Sequence, residues 1–185
     1  MKKLLKLTGG SYAGRRLYVP GTGVRPATNR IREAIFSTLL SYFKEGVRGC
    51  AVLDLFAGTG SLGLEALSRG AERATFVDLR QESVMAIKKN LEILGFIAEL
   101  VQGDAGRFIK KHQQIDYDLI FMDPPYKYPM CDRIVHLLKT RLVKPSMAVL
   151  VYERSYERGL PDFGEEVQLL KRKKYGQSEL LYYRI

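Results

Sequence analysis

Residues 50 to 63, Cys50-Ala51-Val52-Leu53-Asp54-Leu55-Phe56-Ala57-Gly58-Thr59-Gly60-Ser61-Leu62-Gly63, constrain the fold more than any other stretch. The apolar run from Ala51 to Leu55 is too short for a helix and lacks strict alternation, which suits a parallel strand covered on both faces. Gly58 and Gly60 then allow a turn closed to other residues. A helix opening at Ser61 aims unpaired N–H groups into the space above that turn, so a ligand site is expected there.

Two ligands and one ligand-free alternative fit this turn. Gly58 to Gly63 satisfies GxGxxG, and Asp78 stands twenty positions after Gly58, as a dinucleotide site requires. A purely structural turn uses the same glycines. Against the dinucleotide stands Asp54, which repels a pyrophosphate but holds an ammonium or sulfonium group. S-adenosylmethionine carries both cations, and its carboxylate suits a helix N-terminus. Here the sequence resembles the class I S-adenosylmethionine-dependent methyltransferases, whose first motif has this acidic-then-glycine form.

From Cys50 onward strands alternate with helices, which argues a doubly wound α/β sheet. Strands are expected at Ala51–Leu55, Ala74–Val77, Glu99–Val101, Tyr117–Met122 and Ala148–Tyr152. Helices are expected near Ser61–Arg69, Gln81–Leu94, Phe108–Lys111 and Met130–Leu142. Val84, Ile87, Leu91 and Leu94 form the buried stripe of the second of these helices. Two tail strands, Val167–Arg172 and Glu179–Arg184, make a hairpin around Lys173 to Ser178, completing a seven-stranded, mostly parallel Rossmann-like sheet with an antiparallel C-terminal hairpin. Residues 1–27 read as a basic β-hairpin arm, Leu4–Leu7 against Arg16–Val19, and residues 28–185 as the main domain. Thr28 or Asn29 caps a helix whose stripe is Ile31, Ile35, Leu39 and Tyr42, leaving Arg30 and Arg32 on an open basic side.

Charge is concentrated at the front of the chain. Residues 1–48 hold ten Lys/Arg against two Glu, whereas residues 49–185 hold twenty against eighteen acids. An anionic partner, most simply a nucleic-acid backbone, is expected to meet Arg15, Arg16, Arg25, Arg30 and Arg32; a solvated basic face is the plainer alternative. No apolar run approaches the length of a membrane span, and charge interrupts the first residues before a signal-peptide core forms, so a cytoplasmic protein is expected. Cys50 and Cys131 lack metal spacing and read as reduced packing residues; no metal is expected. His112 and His136 read as surface residues.

The acids converge. Asp54, Asp78, Asp104 and Asp123 end the first four strands, where ligands of open α/β sheets bind. One such Asp is ordinarily a turn or helix cap. Four in succession point to a ligand: Asp78 can accept ribose hydroxyls, Asp104 an adenine amine, and Asp54 the amino-acid end. Asp123-Pro124-Pro125-Tyr126 names the chemistry. Two prolines remove two N–H donors, leaving an acceptor-only surface that fits an amino group, and Tyr126 offers a stacking face. This string resembles the (Asp/Asn)-Pro-Pro-(Tyr/Phe) signature of methyltransferases acting on planar, conjugated nitrogen.

Taken together, Gly9-Gly10, Gly14 to Leu17, Pro20, Arg25-Pro26, Arg30 to Phe36, Asp54 to Gly63, Glu65 to Gly70 and Asp123 to Tyr126 resemble the RsmD family of 16S ribosomal RNA guanine-N2 methyltransferases. The resemblance implies S-adenosyl-L-methionine as cofactor, held by Asp54, Phe56, Ala57, Gly58, Gly60, Asp78, Leu79, Asp104 and Ala105, and catalysis at Asp123, Pro124, Pro125 and Tyr126. It further implies a monomer acting on 16S rRNA within the small ribosomal subunit. Ala27 departs from the threonine usual after Arg-Pro. An adenine-N6 or glutamine-amide methyltransferase shares the pocket logic, and a catalytically silent RNA-binding assembly factor shares the fold. A dinucleotide oxidoreductase has no candidate hydride-transfer residue here.

Overall fold

The computed structural model describes residues 5–20, 28–112, 116–125, 128–141, 148–156 and 159–185. Its elements in chain order are α1 (Asn29–Leu39), β1 (Lys44–Val47), β2 (Ala51–Leu55), α2 (Ser61–Ser68), β3 (Arg73–Asp78), α3 (Gln81–Leu94), β4 (Glu99–Gln102), α4 (Ala105–Lys111), β5 (Leu119–Met122), α5 (Cys131–Arg141), β6 (Val149–Ser155), β7 (Gln168–Tyr175) and β8 (Ser178–Arg184). Seven strands form one sheet in the order β4-β3-β2-β5-β6-β8-β7. The first five are parallel, and β8 runs antiparallel to both β6 and β7. The expected seven-stranded sheet with its antiparallel hairpin is therefore present, and the order reverses between β2 and β5.

Strand alternation divides the interior in two. Val52, Phe76, Leu119, Phe121, Val149, Val151, Leu180 and Tyr182 face a core shared with α1, α2, α3 and the N-terminal Leu5, Leu7 and Leu17. Leu53, Leu55, Val77, Ile120, Met122, Leu150, Leu181 and Tyr183 face the opposite core, closed by Phe108 and Ile109 of α4 and Ile134, Val135 and Leu138 of α5. Both cysteines are buried thiols outside any disulfide, and burial pushes the Cys50 thiol up to about 11. Among the described residues no helix is long and apolar enough to cross a membrane.

Several local expectations shift. The N-terminal segment pairs through one antiparallel bridge, Lys6 with Arg16, extended by N–H donation from Leu7 to the Arg15 carbonyl and from Leu17 to the Leu5 carbonyl. A four-residue strand, β1, precedes β2 without a signal in the sequence; its Lys-Glu-Gly-Val has only two buried positions. The tail strands run further than expected, Tyr175 pairing with Ser178 across a two-residue turn at Gly176-Gln177. On α3 the buried stripe is rotated: Ser83, Ala86, Ile87, Asn90, Leu91 and Leu94 are buried, while Val84 is half-exposed. Asn90 explains this. Its Oδ1 accepts from Tyr18 N–H at 2.6 Å and its Nδ2 donates to the Tyr18 carbonyl at 3.0 Å, so a polar side chain is drawn inward to satisfy the N-terminal backbone.

Arg32 requires a correction. The open basic side expected of α1 does not include it, because Arg32 is 0% exposed. Its Nε lies 3.5 Å from Oε2 of Glu65, also 0% exposed, and its Nη2 donates to Asn29 Oδ1 and to the Lys6 carbonyl. Glu65 also accepts from Thr8 N–H and Thr8 Oγ1, both at 2.8 Å, and from Arg69 Nε at 2.9 Å. Arg69 in turn lies over the Phe36 ring, 4.7 Å from its centroid. One carboxylate thus joins the N-terminal segment, α1 and α2. A buried charge needs such partners, and removing one member strands the rest. Glu65→Ala is expected to lower stability by roughly 3–5 kcal/mol, read as a fall in the urea midpoint. A midpoint within error of wild type would remove Glu65 from this role.

Candidate active site

The same alternation that builds the first core delivers the acids. Asp54 is in register with Phe76 on β3 and Phe121 on β5. Asp78 and Asp123 lie two residues beyond those phenylalanines, so Asp54, Asp78 and Asp123 all have the parity of the α1–α3 face. Past the strand ends this face opens into a cavity of about 490 Å³. Asp54, Phe56, Ala57, Gly58, Asp78, Leu79, Asp104, Ala105, Asp123, Pro124 and Pro125 all line it. Of the expected site residues, Gly60 stands behind the wall as the α2 N-cap, and Tyr126 and Arg25 lie outside the described residues.

Each acid is held by a different local device. Asp54 is 2% exposed and accepts from Gly63 N–H, in the first turn of α2, at 2.9 Å. Asp78 accepts from Gly58 N–H at 2.7 Å and Arg80 N–H at 2.9 Å, with Arg80 Nε at 3.8 Å, and so ties the glycine turn to the end of β3. Asp104 caps α4 by accepting from Arg107 N–H at 2.9 Å. Asp123 follows β5 directly, before the two prolines. Two glycines fix the turn. Gly60 adopts φ 74°, and a Cβ at Gly63 would stand 2.3 Å from the Phe76 ring, so α2 can approach β3 only with glycine there.

The acids load one another electrostatically. Burial raises the Asp54 pKa well above the usual carboxylate range; the Gly63 N–H opposes this, and Asp123 and Asp78 reinforce it. A cation in the cavity would relieve that repulsion and favour ionised Asp54. A sulfonium or ammonium group fits this donor set, and a pyrophosphate does not. Leu79, 68% exposed at the rim, adds an apolar surface to the cavity.

Residues that sequence reasoning missed complete the walls. Thr28 and Ile31 reach the cavity from α1, where they read only as cap and core stripe; Thr28 is indeed the cap, its Oγ1 accepting from Ile31 N–H at 3.3 Å. Tyr128 lies edge-on to Phe56 at 4.9 Å, donates to Asp104 Oδ2 at 3.4 Å, and its N–H donates to the Pro125 carbonyl at 2.7 Å. Phe56 has φ 61°, the one positive value at a non-glycine among the described residues, which marks a strained junction at the cavity floor. Glu153 and Ser178 arrive from β6 and β8. A signal existed for Glu153 alone: it shares the parity of Val149 and Val151 yet is charged. Arg15, Arg16 and Arg30 are exposed, as an anion-binding face requires.

Comparison with known proteins agrees with this geometry. Residues 5–184 match the family model described as "Conserved hypothetical protein 95". The chain is 34% identical over 185 residues to "Putative rRNA methyltransferase YlbH" of Bacillus subtilis strain 168, covering 97% of this chain and 98% of that protein. It is 33% identical over 175 residues to "Ribosomal RNA small subunit methyltransferase D" of Escherichia coli strain K12, covering 94% and 86%. The solved structure of "Putative methyltransferase yhhF from Escherichia coli" superimposes with a TM-score of 0.86 at 32% identity, covering 97% of each chain.

The raised Asp54 pKa sets a pH dependence. Because the folded state holds the proton more tightly than the unfolded chain, stability falls as pH rises from the ordinary carboxylate pKa through the elevated one. Asparagine keeps the acceptor for Gly63 N–H and cannot ionise. Ligand-free Asp54→Asn is therefore expected to be more stable than wild type at neutral pH, with the difference closing as the medium is acidified. Urea titrations at several pH values read this directly, and a variant less stable at neutral pH would contradict it.

Proposed function

The chain belongs to the RsmD family, described as conserved hypothetical protein 95, and from that premise we propose that it methylates the exocyclic N2 amine of a guanine in small-subunit ribosomal RNA. The coarser statement, methylation of rRNA, is what these two curated relatives carry in their names, and the solved structure is named a methyltransferase. The observation that carries the finer reading is the meeting of two sets of residues in one cavity: Asp54, Asp78 and Asp104 on one side and Asp123-Pro124-Pro125 on the other.

Asp54 would hold the amino-acid end of S-adenosylmethionine, Asp78 its ribose, and Asp104 its adenine edge, with Leu79 and Ala105 against the ring. Phe56, Ala57, Gly58 and Gly60 shape the turn beneath it. Bound there, the cofactor supplies an electrophilic methyl group on a sulfonium centre. The protein's part is to present the nucleophile. A guanine amine is nearly neutral, and its lone pair is delocalised into the ring. The Asp123 carboxylate and the Pro124 carbonyl would accept its two hydrogens, favouring a more tetrahedral nitrogen with its lone pair directed at the methyl. Pro124 and Pro125 contribute no N–H that could compete for that lone pair. The work is positioning and electrostatics, and Asp123 need not be a strong base because the amine proton becomes acidic only after transfer.

Such a cavity admits a base only when it is unpaired, so the target is flipped or already single-stranded. Tyr126 would stack on it. Arg15, Arg16, Arg25 and Arg30 would meet the surrounding backbone, which makes residues 1–27 an RNA-directed arm by function and residues 28–185 the transferase domain. We place the protein in the cytoplasm, acting as a monomer on the small subunit.

Two measurements test the reading. Incubating the protein with radiolabelled S-adenosylmethionine and undermethylated small ribosomal subunits should put label in N2-methylguanosine on nucleoside analysis. Label in a methyladenosine would keep the mechanism and replace the substrate, and absence of label would reject the activity. Asp123→Ala should lower turnover by about a hundredfold or more while leaving cofactor affinity within a few-fold, since it removes an interaction made chiefly in the transition state. Turnover near wild type would remove Asp123 from catalysis.

A further inference from the structure

A second concavity, of about 200 Å³, lies between α4 and α5 and shares Asp104 and Tyr128 with the main cavity. Its character is different. Arg107 and Lys110 enter from α4 and Arg133 from α5, all three exposed, over a floor that includes Tyr128, Met130 and Leu137. Among the described residues none of the three cations is held in an ion pair, whereas Lys139 on the same α5 is paired with Glu166. Among the described residues the one acid lining the groove is Asp104, already accepting from Arg107 N–H and Tyr128 Oη.

A solvated basic face scatters its charges over a convex surface. Here three cations from two helices converge on a concave apolar floor that adjoins the cavity through a single wall. Resting on the function proposed above, we infer that this groove seats the phosphate and sugar of a nucleotide flanking the target base. The phosphate meets Arg107, Lys110 and Arg133, and the sugar or base lies on Tyr128 and Met130. The Tyr128–Asp104 contact then stands between this nucleotide and the main cavity. RNA is favoured over a free anion because the floor is apolar and the wall is shared with the cavity, features that a small phosphate does not use. It gives the carrier strand a second grip far from the N-terminal arginines in sequence, which Arg107, Lys110 and Arg133 do not resemble in any local motif.

The test is filter binding of radiolabelled, unmodified small-subunit rRNA over a salt series, with methyl transfer to undermethylated small subunits measured in parallel. The Arg107→Ala/Arg133→Ala double variant should bind rRNA about tenfold more weakly and show a log K against log salt slope shallower by about 0.7–0.9, the counterion release of the one phosphate contact. Its cofactor affinity and its turnover at saturating substrate should match wild type. A Lys44→Ala/Arg48→Ala control loses equal exposed charge from β1 and the segment before β2, neither residue lining the groove, and should leave the slope unchanged. Wild-type affinity and slope in the groove variant, or an equal loss in the control, overturns the inference. Transfer that fails in wild type while rRNA binding persists counts against the proposed function alone, because the binding measurement reads the groove independently.

Discussion

The buried carboxylate of Glu65 is the interaction on which the rest of the structure depends. It sits on α2, the helix that opens from the glycine turn, and gathers Thr8, Arg32 and Arg69 around it. Ions taken from water are costly unless fully paired, so this cluster tolerates one arrangement of the three segments and few others. The consequence reaches the site. With α1 fixed on α2, Thr28 and Ile31 come to rest over the strand ends and close the cavity from above. Ser68 repeats the logic one turn further on: its Oγ donates to the Gly9 carbonyl at 2.7 Å and accepts from Tyr12 N–H at 3.1 Å.

Asp54 is the opposite case, a buried carboxyl group with no ion pair among the described residues. It has one backbone donor, and Asp78 and Asp123 stand on the same face. A core selected for stability alone would not keep it. Its presence is intelligible when the missing charge belongs to the ligand, which gains affinity by neutralising a field that the fold has already built. The strain at Phe56 lies beside this, where the turn leaves β2 and lines the cavity. Stability at Glu65 thus supports a deliberately unfavourable arrangement at Asp54.

The far edge of the sheet follows another constraint. β7 is an edge strand whose Lys171 to Lys174 stretch reads Lys-Arg-Lys-Lys, and such an edge resists pairing with a second chain. Arg172 is not idle charge: it shares the buried Glu179 with Arg154, pinning the hairpin against β6. Lys173 donates to Thr38 Oγ1 on α1 at 2.9 Å. The hairpin is therefore attached at both of its faces, and β8 can lend Ser178 to the cavity wall.

What the sequence determined by itself was local or periodic. The apolar run into Gly58 and Gly60, the capping of α1 at Thr28 or Asn29, the limits of α3 at Gln81 and Leu94, and the Asp-Pro-Pro string are each read within one element, where spacing alone dictates backbone angles and faces. The order of acids at strand ends followed, because a parallel sheet puts all its strand C-termini at one end. Tertiary structure alone decided the pairings between distant residues. Arg32 looked like open charge because nothing near it in sequence announces Glu65; Val84 looked more buried than Asn90 because the backbone groups of Tyr18 are invisible to helical periodicity. Tyr128 carried no pattern, and Arg107, Lys110 and Arg133 gain meaning only when α4 packs on α5. The physical reason is common to these cases. A hydrophobic stripe reports that a face is buried, while a polar contact needs a partner at a given distance and angle, and that partner is supplied by the fold.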